Sequence, residues 1–489
     1  MTTFDPAMAE PIPAPATRAV LVEASSGGKP TTVALLSDWE YLERALQRLI
    51  AGWGRYIAEW EDKVVVHRQI WEQAECVRRL RERLTQFPGS VHNLDRPVSR
   101  RLEALANTAL LAPSHQDAVD GIYQLLAGAL TGAYLHYIQH AHPIHDAPTV
   151  AMLHEIVSVK EQQRLWLRDY RRRYPHATSP AYRAAIEREL AACEQLLRPL
   201  PVEGPPAAPA GVNTSFRLPA RPAYPVGSRP EHDFMPFVSV DFTTSVETRR
   251  LFWCYGYMRE MNLAIDQLRW IYDSPYMPWA FHQDIARHLW DESRHGDSGY
   301  SRLLDFGITL REIGFRPYDA GLLDPQDMPP AAPQLDTPGA QPAMGQLEPL
   351  TPRQLYDVVF EIGMVAETGH FTVKREAYED FKTGGDLESA EMMLFDIIDE
   401  SAHVQYAHHW LPALAEHAGV DNADYRERGV RERQRRQAER LRQMQIDAEQ
   451  PRDMSDPNYA FYQRLLAIMR EKHPLTNAVS CPPRSPLPM

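Results

Sequence analysis

The chain has 489 residues and carries 52 Lys and Arg against 65 Asp and Glu, a formal net charge of −13. At roughly 100–200 residues per domain this is room for about two to four domains, and the acid surplus argues against a protein built to hold nucleic acid, because phosphate binding rests on a basic surface. Cys76, Cys193, Cys254 and Cys481 stand far apart with no C-x-x-C pair, which excludes a disulfide framework and a thiolate zinc site and fits a reduced, cytoplasmic setting.

Residues 1–30 are rich in Pro and Ala without a basic stretch leading into an apolar core. No apolar run of about 18 residues occurs anywhere, so neither an export signal nor a membrane span is expected. Next along the chain, 19–24 (AVLVEA) and 31–36 (TTVALL) read as a hairpin. From there the apolar residues recur at spacings of three and four, which predicts four helices at about 38–60, 63–86, 117–142 and 147–173. Prolines between 199 and 230 deny that stretch a helix and mark it as a connector. Four more helices follow at about 243–272, 278–304, 353–382 and 386–417, interrupted by a proline-rich loop over 317–352 of the kind that forms lids or wraps. Eight Arg and three Glu alternate over 425–442, as on a solvated, salt-bridged helix, and 478–489 reads as a loose tail. The expected fold is all-α: an arm (1–37), a first four-helix bundle (38–198), a linker (199–239), a second four-helix bundle (240–420), then the Arg-rich helix and tail (421–489).

The two halves also resemble each other. Residues 70–76 (IWEQAEC) lie over 289–295 (LWDESRH) without a gap, and 152–159 (MLHEIVSV) over 393–400 (MLFDIIDE). Where the second copy has Glu292 with His295 and Glu400 with His403, the first has Gln73 with Cys76 and Val159 with Gln162. This reads as a duplicated bundle whose first copy lacks a site, against the plainer reading that amphipathic helices look alike. His136, His140, His142 and His145 in the first half read as a solvated helix end. The expected role of that half is to pack on the other bundle or to form a homodimer face.

Asp291-Glu292-Ser293-Arg294-His295 and Asp399-Glu400-Ser401-Ala402-His403 are two copies of D-E-S-x-H on two predicted helices. A single E-x-x-H carries little, but two copies, each preceded by Asp, carry a good deal. Residues at i and i+3 share a helix face, so each motif aims a carboxylate and an imidazole at one point. Such mixed N/O sets suit iron or manganese better than zinc. Counting back about equally from each motif reaches Glu260 and Glu367, both mid-helix, each with a glycine one turn earlier (Gly256, Gly363) that leaves space beside the metals.

Glu, E-x-x-H, Glu, E-x-x-H in this order resembles the ferritin-like di-iron carboxylate superfamily over about 240–417, and more particularly its oxidase and oxygenase branch. That resemblance implies Glu260, Glu292, His295, Glu367, Glu400 and His403 as metal ligands, with Glu292 and Glu400 bridging two Fe, or a manganese–iron pair. It also implies Asp291 and Asp399 as hydrogen-bond partners of the ligating imidazole on the opposite helix pair, with Asp396 and Arg294 behind the ligands. His288, four residues before Glu292, resembles an extra histidine of the arylamine N-oxygenases, although there it lies on the second E-x-x-H helix. His370 is a further ligand candidate at the spacing of rubrerythrin-like proteins; for both histidines the alternative is an ordinary polar residue. Asp266 and Lys374 read as a plain ion pair, and Trp253, Tyr257, Met364 and Phe371 as walls of a partly apolar pocket.

From these residues the expected function is an O₂-dependent non-haem di-iron oxidase or oxygenase that hydroxylates, N-oxygenates or desaturates a small organic substrate. The carboxylates Glu260, Glu292, Glu367 and Glu400 would be its catalytic groups. Electrons would come from an external reductase or ferredoxin, because the chain shows neither a dinucleotide fingerprint nor a cysteine set for an iron–sulfur cluster. The alternatives are peroxide scavenging or iron handling of the rubrerythrin and ferritin kind, and a helical scaffold that a metal merely staples.

Overall fold

A computed structural model of the chain describes residues 29–89, 94–208, 216–219, 222–223, 232–243, 245–315, 348–449 and 453–475. Among them every regular element is a helix and no strand occurs. Segment 31–36, expected as half of a hairpin, is helical within Lys29–Gly54, and its supposed partner 19–24 lies outside the described residues. The β-branched start gives way because buried Leu36, Trp39, Leu42, Leu46 and Leu49 continue a three-and-four spacing through the segment; that stripe outweighs local propensity. Most of the 317–352 loop and all of the 478–489 tail also lie outside the described residues. Helices Arg100–Leu110, Pro180–Ala192 and Pro457–Lys472 were not expected.

The chain divides into two compact units, one of residues 1–46 and 75–211, the other of 47–74 and 212–489. Proline spacing puts all of 38–198 in one unit, whereas 47–74 belongs to the second. Within that unit Arg55 pairs with Asp266 at 3.2 Å, both nearly inaccessible, and His67 Nδ1 lies 3.1 Å from Ser293 Oγ. Asp266 is therefore not the partner of Lys374, as its place along the helix had suggested. The described parts of the proline-rich connector are pinned rather than loose: Phe216 packs tilted against Trp53 and edge-on against Tyr272, with centroids 5.2 and 5.6 Å apart.

Four long stretches of helix form the heart of the second unit: Val246–Asp273, Trp279–Asp305, 352–384 and Leu387–Ala418. Their starts are written locally. Ser245 accepts from Thr248 N at 3.1 Å, Thr351 and Gln354 form a reciprocal cap, and Asp386 accepts from Ser389 N at 3.1 Å, each worth about 1 kcal/mol. Gly385, at φ 84°, turns the chain between the last two. The 246–273 helix packs along 279–305, which also meets 387–418; that helix in turn packs on 352–384. At Gly299 a Cβ would come within 2.5 Å of Cys254 O and Met258 N, so glycine there permits the close crossing of 246–273 and 279–305. The 457–472 helix closes over 246–273, where Tyr462 Oη and Thr248 Oγ1 are 2.6 Å apart. The Arg-rich Tyr425–Glu449 helix lies against the 361–367 segment, Arg436 pairing with Glu361 and Arg433 donating to Met364 O.

Candidate metal centre

Helical spacing does the first part of the assembly. His288, Glu292 and His295 recur at four and three residues on 279–305, and Asp396, Glu400 and His403 do the same on 387–418, so each helix turns one polar face inward. The 352–384 helix opens into a π-helix at Glu361–Glu367, ending on Glu367; such wide turns re-aim a side chain and gather at functional sites.

Two groups of potential ligands result. His288, Glu292, Glu367 and His403 form one, and Glu260, His295 and Asp396 the other, with ligand atoms within 4.8 Å of one another in each. In the first, His288 Nε2 lies 3.1 Å from Glu292 Oε1 and 3.0 Å from Glu367 Oε1, and His403 Nδ1 lies 3.4 and 3.3 Å from the same two oxygens. In the second, His295 Nδ1 is 3.2 Å from Glu260 Oε2 and 3.3 Å from Asp396 Oδ1. Glu292 faces both groups, its Oε2 standing 4.0 Å from His295 Nδ1.

Behind the imidazoles the support crosses between helices. Asp291 Oδ2 is 3.3 Å from His403 Nε2, and Asp399 Oδ2 is 3.2 Å from His295 Nε2, which turns each Nδ1 toward its carboxylates. Arg294 bonds both Asp291 and Asp399, the latter at 2.6 Å, and Arg287 reaches Asp291 at 2.8 Å. Arg287 was missed in the sequence, although it stands four residues before Asp291, the spacing that picks out His288.

Two of the expected ligands are placed otherwise. Glu400 is in neither group: its Oε1 is taken by the Lys374 ammonium, which also holds Asp396 Oδ2 at 2.6 Å. His370 is half-buried and likewise belongs to neither. The pocket walls differ too. Trp253 and Tyr257 lie over Lys374 Nζ, at 6.0 and 5.3 Å from the ring centroids, and Tyr257 donates to Asp396 Oδ2 at 2.8 Å. The cleft that reaches the first group, about 270 Å³ including its open mouth, is instead lined by Trp270, Ile285, Ile362, Tyr406 and Trp410 beside His288 and His403. Gly363 lines this cleft, and a Cβ there would run into Ala407 Cβ, whereas Gly256 has nothing within 4 Å.

The electrostatics are those of a site built for cations. Apart from Glu260, 23% exposed, every side chain of the two groups is at most 6% exposed, and burying an ion without compensation costs several kcal/mol. Yet Glu260 Oε2, His295 Nδ1, Asp396 Oδ1, Glu367 Oε1 and His403 Nδ1 face one another, His288 or Glu292, in ion-pair contacts of 3.0–3.4 Å, and with Glu367 Oε2 and Glu400 Oε2 they make no well-aligned hydrogen bond. Metal-free, the chain answers with protons. Burial pushes Glu260 up to about 7, and burial, then Asp396, raises Glu400 well above the carboxylate range. Burial opposes charge on His403, but Glu367 and Asp291 lift it to about 10. His295 also is raised, against its burial, by Asp396, Asp399 and Glu260. For Asp291 and Glu367 burial is outweighed instead: hydrogen bonds from His403 and Arg287 lower the first, and His288 and His403 lower the second. Poorly bonded ligand atoms and misplaced protons are what a divalent ion would relieve, since it takes deprotonated imidazole and carboxylate, and these buried residues can hold one. Hard oxygens with imidazole suit iron or manganese.

No family model matches the chain, and neither does any curated protein or solved structure. Among the described residues no helix is long and apolar enough to cross a membrane.

Proposed function

We propose that the chain is an O₂-dependent oxidase or oxygenase whose second unit, a ferritin-like four-helix bundle, holds two iron ions. One observation carries this reading: buried carboxylates and imidazoles converge from four stretches of helix into two groups, with Glu292 turned toward both. His288, Glu292, Glu367 and His403 would hold one ion; Glu260, His295 and Asp396, with Glu292 between, would hold the other. A reduced iron pair supplies O₂ activation and two-electron oxidation. The chain's own part is to orient. Asp291 and Asp399 fix the imidazole tautomers, Tyr257 and Lys374 anchor Asp396, and the narrow, mostly apolar cleft beside His288 and His403 marks the side from which a small molecule would approach. Electrons would come from a separate reductase.

The test is anaerobic loading with Fe(II), followed by metal analysis and Mössbauer spectroscopy before and after O₂. About two irons per chain in coupled environments, with O₂ consumed, are expected. A chain that takes up no iron, or iron without O₂ consumption, overturns the reading.

A further inference from the structure

Lys374 is out of place in a site made for cations. Its ammonium is wholly inaccessible, it touches Asp396 and Glu400, and aromatic rings cover it. Such a group belongs to the site's charge balance. Glu260, Glu292, Glu367, Asp396 and Glu400 are five carboxylates, one negative charge more than two divalent ions offset, and Lys374 supplies the remaining positive charge. Its two partners are not equivalent. Asp396 is anchored only through Oδ2, by Lys374 and by the Tyr257 hydroxyl, which leaves Oδ1 facing His295 at 3.3 Å. Glu400 is held through Oε1 and lies outside both groups.

We propose that Lys374 withholds Glu400 from the metals, so that Asp396 is the carboxylate completing the Glu260/His295 group. The two ions then bind unequally. The His288/Glu292/Glu367/His403 group has two imidazoles and, among the described residues, no lysine in ion-pair contact, and fills first. The other shares its Asp396 with a fixed positive charge and fills second. Lys374 is thus a positioning residue that sets the order of loading. This rests on the metal-centre reading above and names which carboxylate serves the second ion.

The test is titration of the full metal-free chain with Mn²⁺ alone, without O₂ or substrate, followed by equilibrium dialysis and by EPR, which distinguishes isolated from coupled ions. The wild type should take two ions in two steps, the second about tenfold or more weaker. Asp396→Asn should lose the second step and Glu400→Gln should keep it; Lys374→Met should strengthen it about tenfold or more, within the range that outer partners tune a site. If Lys374→Met does not accumulate folded, the other two variants decide. Loss of the second ion in Glu400→Gln, its retention in Asp396→Asn, or two equal steps in the wild type overturns the proposal while leaving the metal centre intact. A wild type that binds no Mn²⁺ at all instead removes the metal centre on which it rests.

Discussion

Both units bury a carboxylate against a lysine, and they differ in what is left over. In the first unit Glu43 is inaccessible; its Oε2 takes Lys160 Nζ at 2.6 Å and its Oε1 takes the Tyr134 hydroxyl at 2.6 Å. Both oxygens are answered within the protein, as a buried polar network must be if it is to serve structure alone. In the second unit Lys374 answers Asp396 and Glu400, yet seven buried oxygen and nitrogen atoms on six residues of the cluster, Glu400 among them, make no well-aligned hydrogen bond. Buried charge does not by itself mark a binding site. A buried cluster of carboxylates and imidazoles with few well-formed hydrogen bonds is, by contrast, one that a cation would complete.

The comparison breaks most sharply at one residue on each side. Glu292→Ala removes the carboxylate that faces both groups, and metal affinity should fall by about 100-fold or more, the upper end of what loss of a supporting partner alone produces; metal analysis after dialysis reads this. Glu43→Ala should leave metal content untouched but strand a buried ammonium, costing about 3–5 kcal/mol, visible in urea unfolding of the first unit. If Glu43→Ala released metal, the distinction between a satisfied and an unsatisfied network would fail. Next in size, Asp399→Asn keeps an oxygen near His295 Nε2 but gives up the carboxylate charge, and should weaken metal binding by about 10–100-fold. The same dialysis measures it, and unchanged affinity would mean that the imidazole needs no such support.

Protons give a subtler test. In the metal-free chain Glu367 and Asp291 lift His403 to about 10, Asp396, Asp399 and Glu260 raise His295, and burial pushes Glu260 up to about 7. Filling the centre should therefore release protons, chiefly from His403 and His295, measurable by calorimetry in buffers of different ionisation enthalpy, and metal affinity should rise with pH. Stability runs the other way. A group whose pKa is raised on folding, such as His403 at about 10, stabilises the metal-free fold fully below its unfolded value and loses that contribution as pH climbs toward 10. Lys63, which burial lowers to about 7, opposes this trend, but it does so alike with and without metal. The difference in melting temperature between loaded and chelated protein should widen from pH 6 to 9; a constant difference would mean that the ions do not displace these protons.

What could be read from sequence was whatever lies along one helix. The two D-E-S-x-H copies and His288 follow from spacings of three and four, because a helix converts spacing directly into a shared face. Choices made between helices were hidden. Nothing in the order of residues says whether Asp396 or Glu400, one turn apart, looks at His295, nor that Lys374, which reads in sequence as the partner of Asp266, would come to lie on Glu400 instead. The hairpin reading of 31–36 failed because six residues of β-branched and apolar character are too short a window to set against a helix whose stripe runs on to Leu49. The alignment of 152–159 with 393–400 shows the same blindness: Gln162 is exposed where His403 is buried, so matching letters do not imply matching faces.

The glycines one turn before Glu260 and Glu367 look equivalent in sequence, and the structure separates them. Gly256 is half-exposed with nothing within 4 Å of where a Cβ would stand, so Gly256→Ala should be neutral or stabilise by up to about 1 kcal/mol, the helix-propensity difference. Gly363 sits in the π-helix against Ala407, one turn beyond His403 on the neighbouring helix. Gly363→Ala would force the two helices apart, costing about 1–3 kcal/mol as overpacking does, and would move Glu367 relative to His403. A loss of stability without a loss of metal affinity in Gly363→Ala would separate the packing of these helices from the geometry of the centre. A parallel loss of both, restored by Ala407→Gly, would show that the close approach of the helices is what brings Glu367 within 3.3 Å of His403.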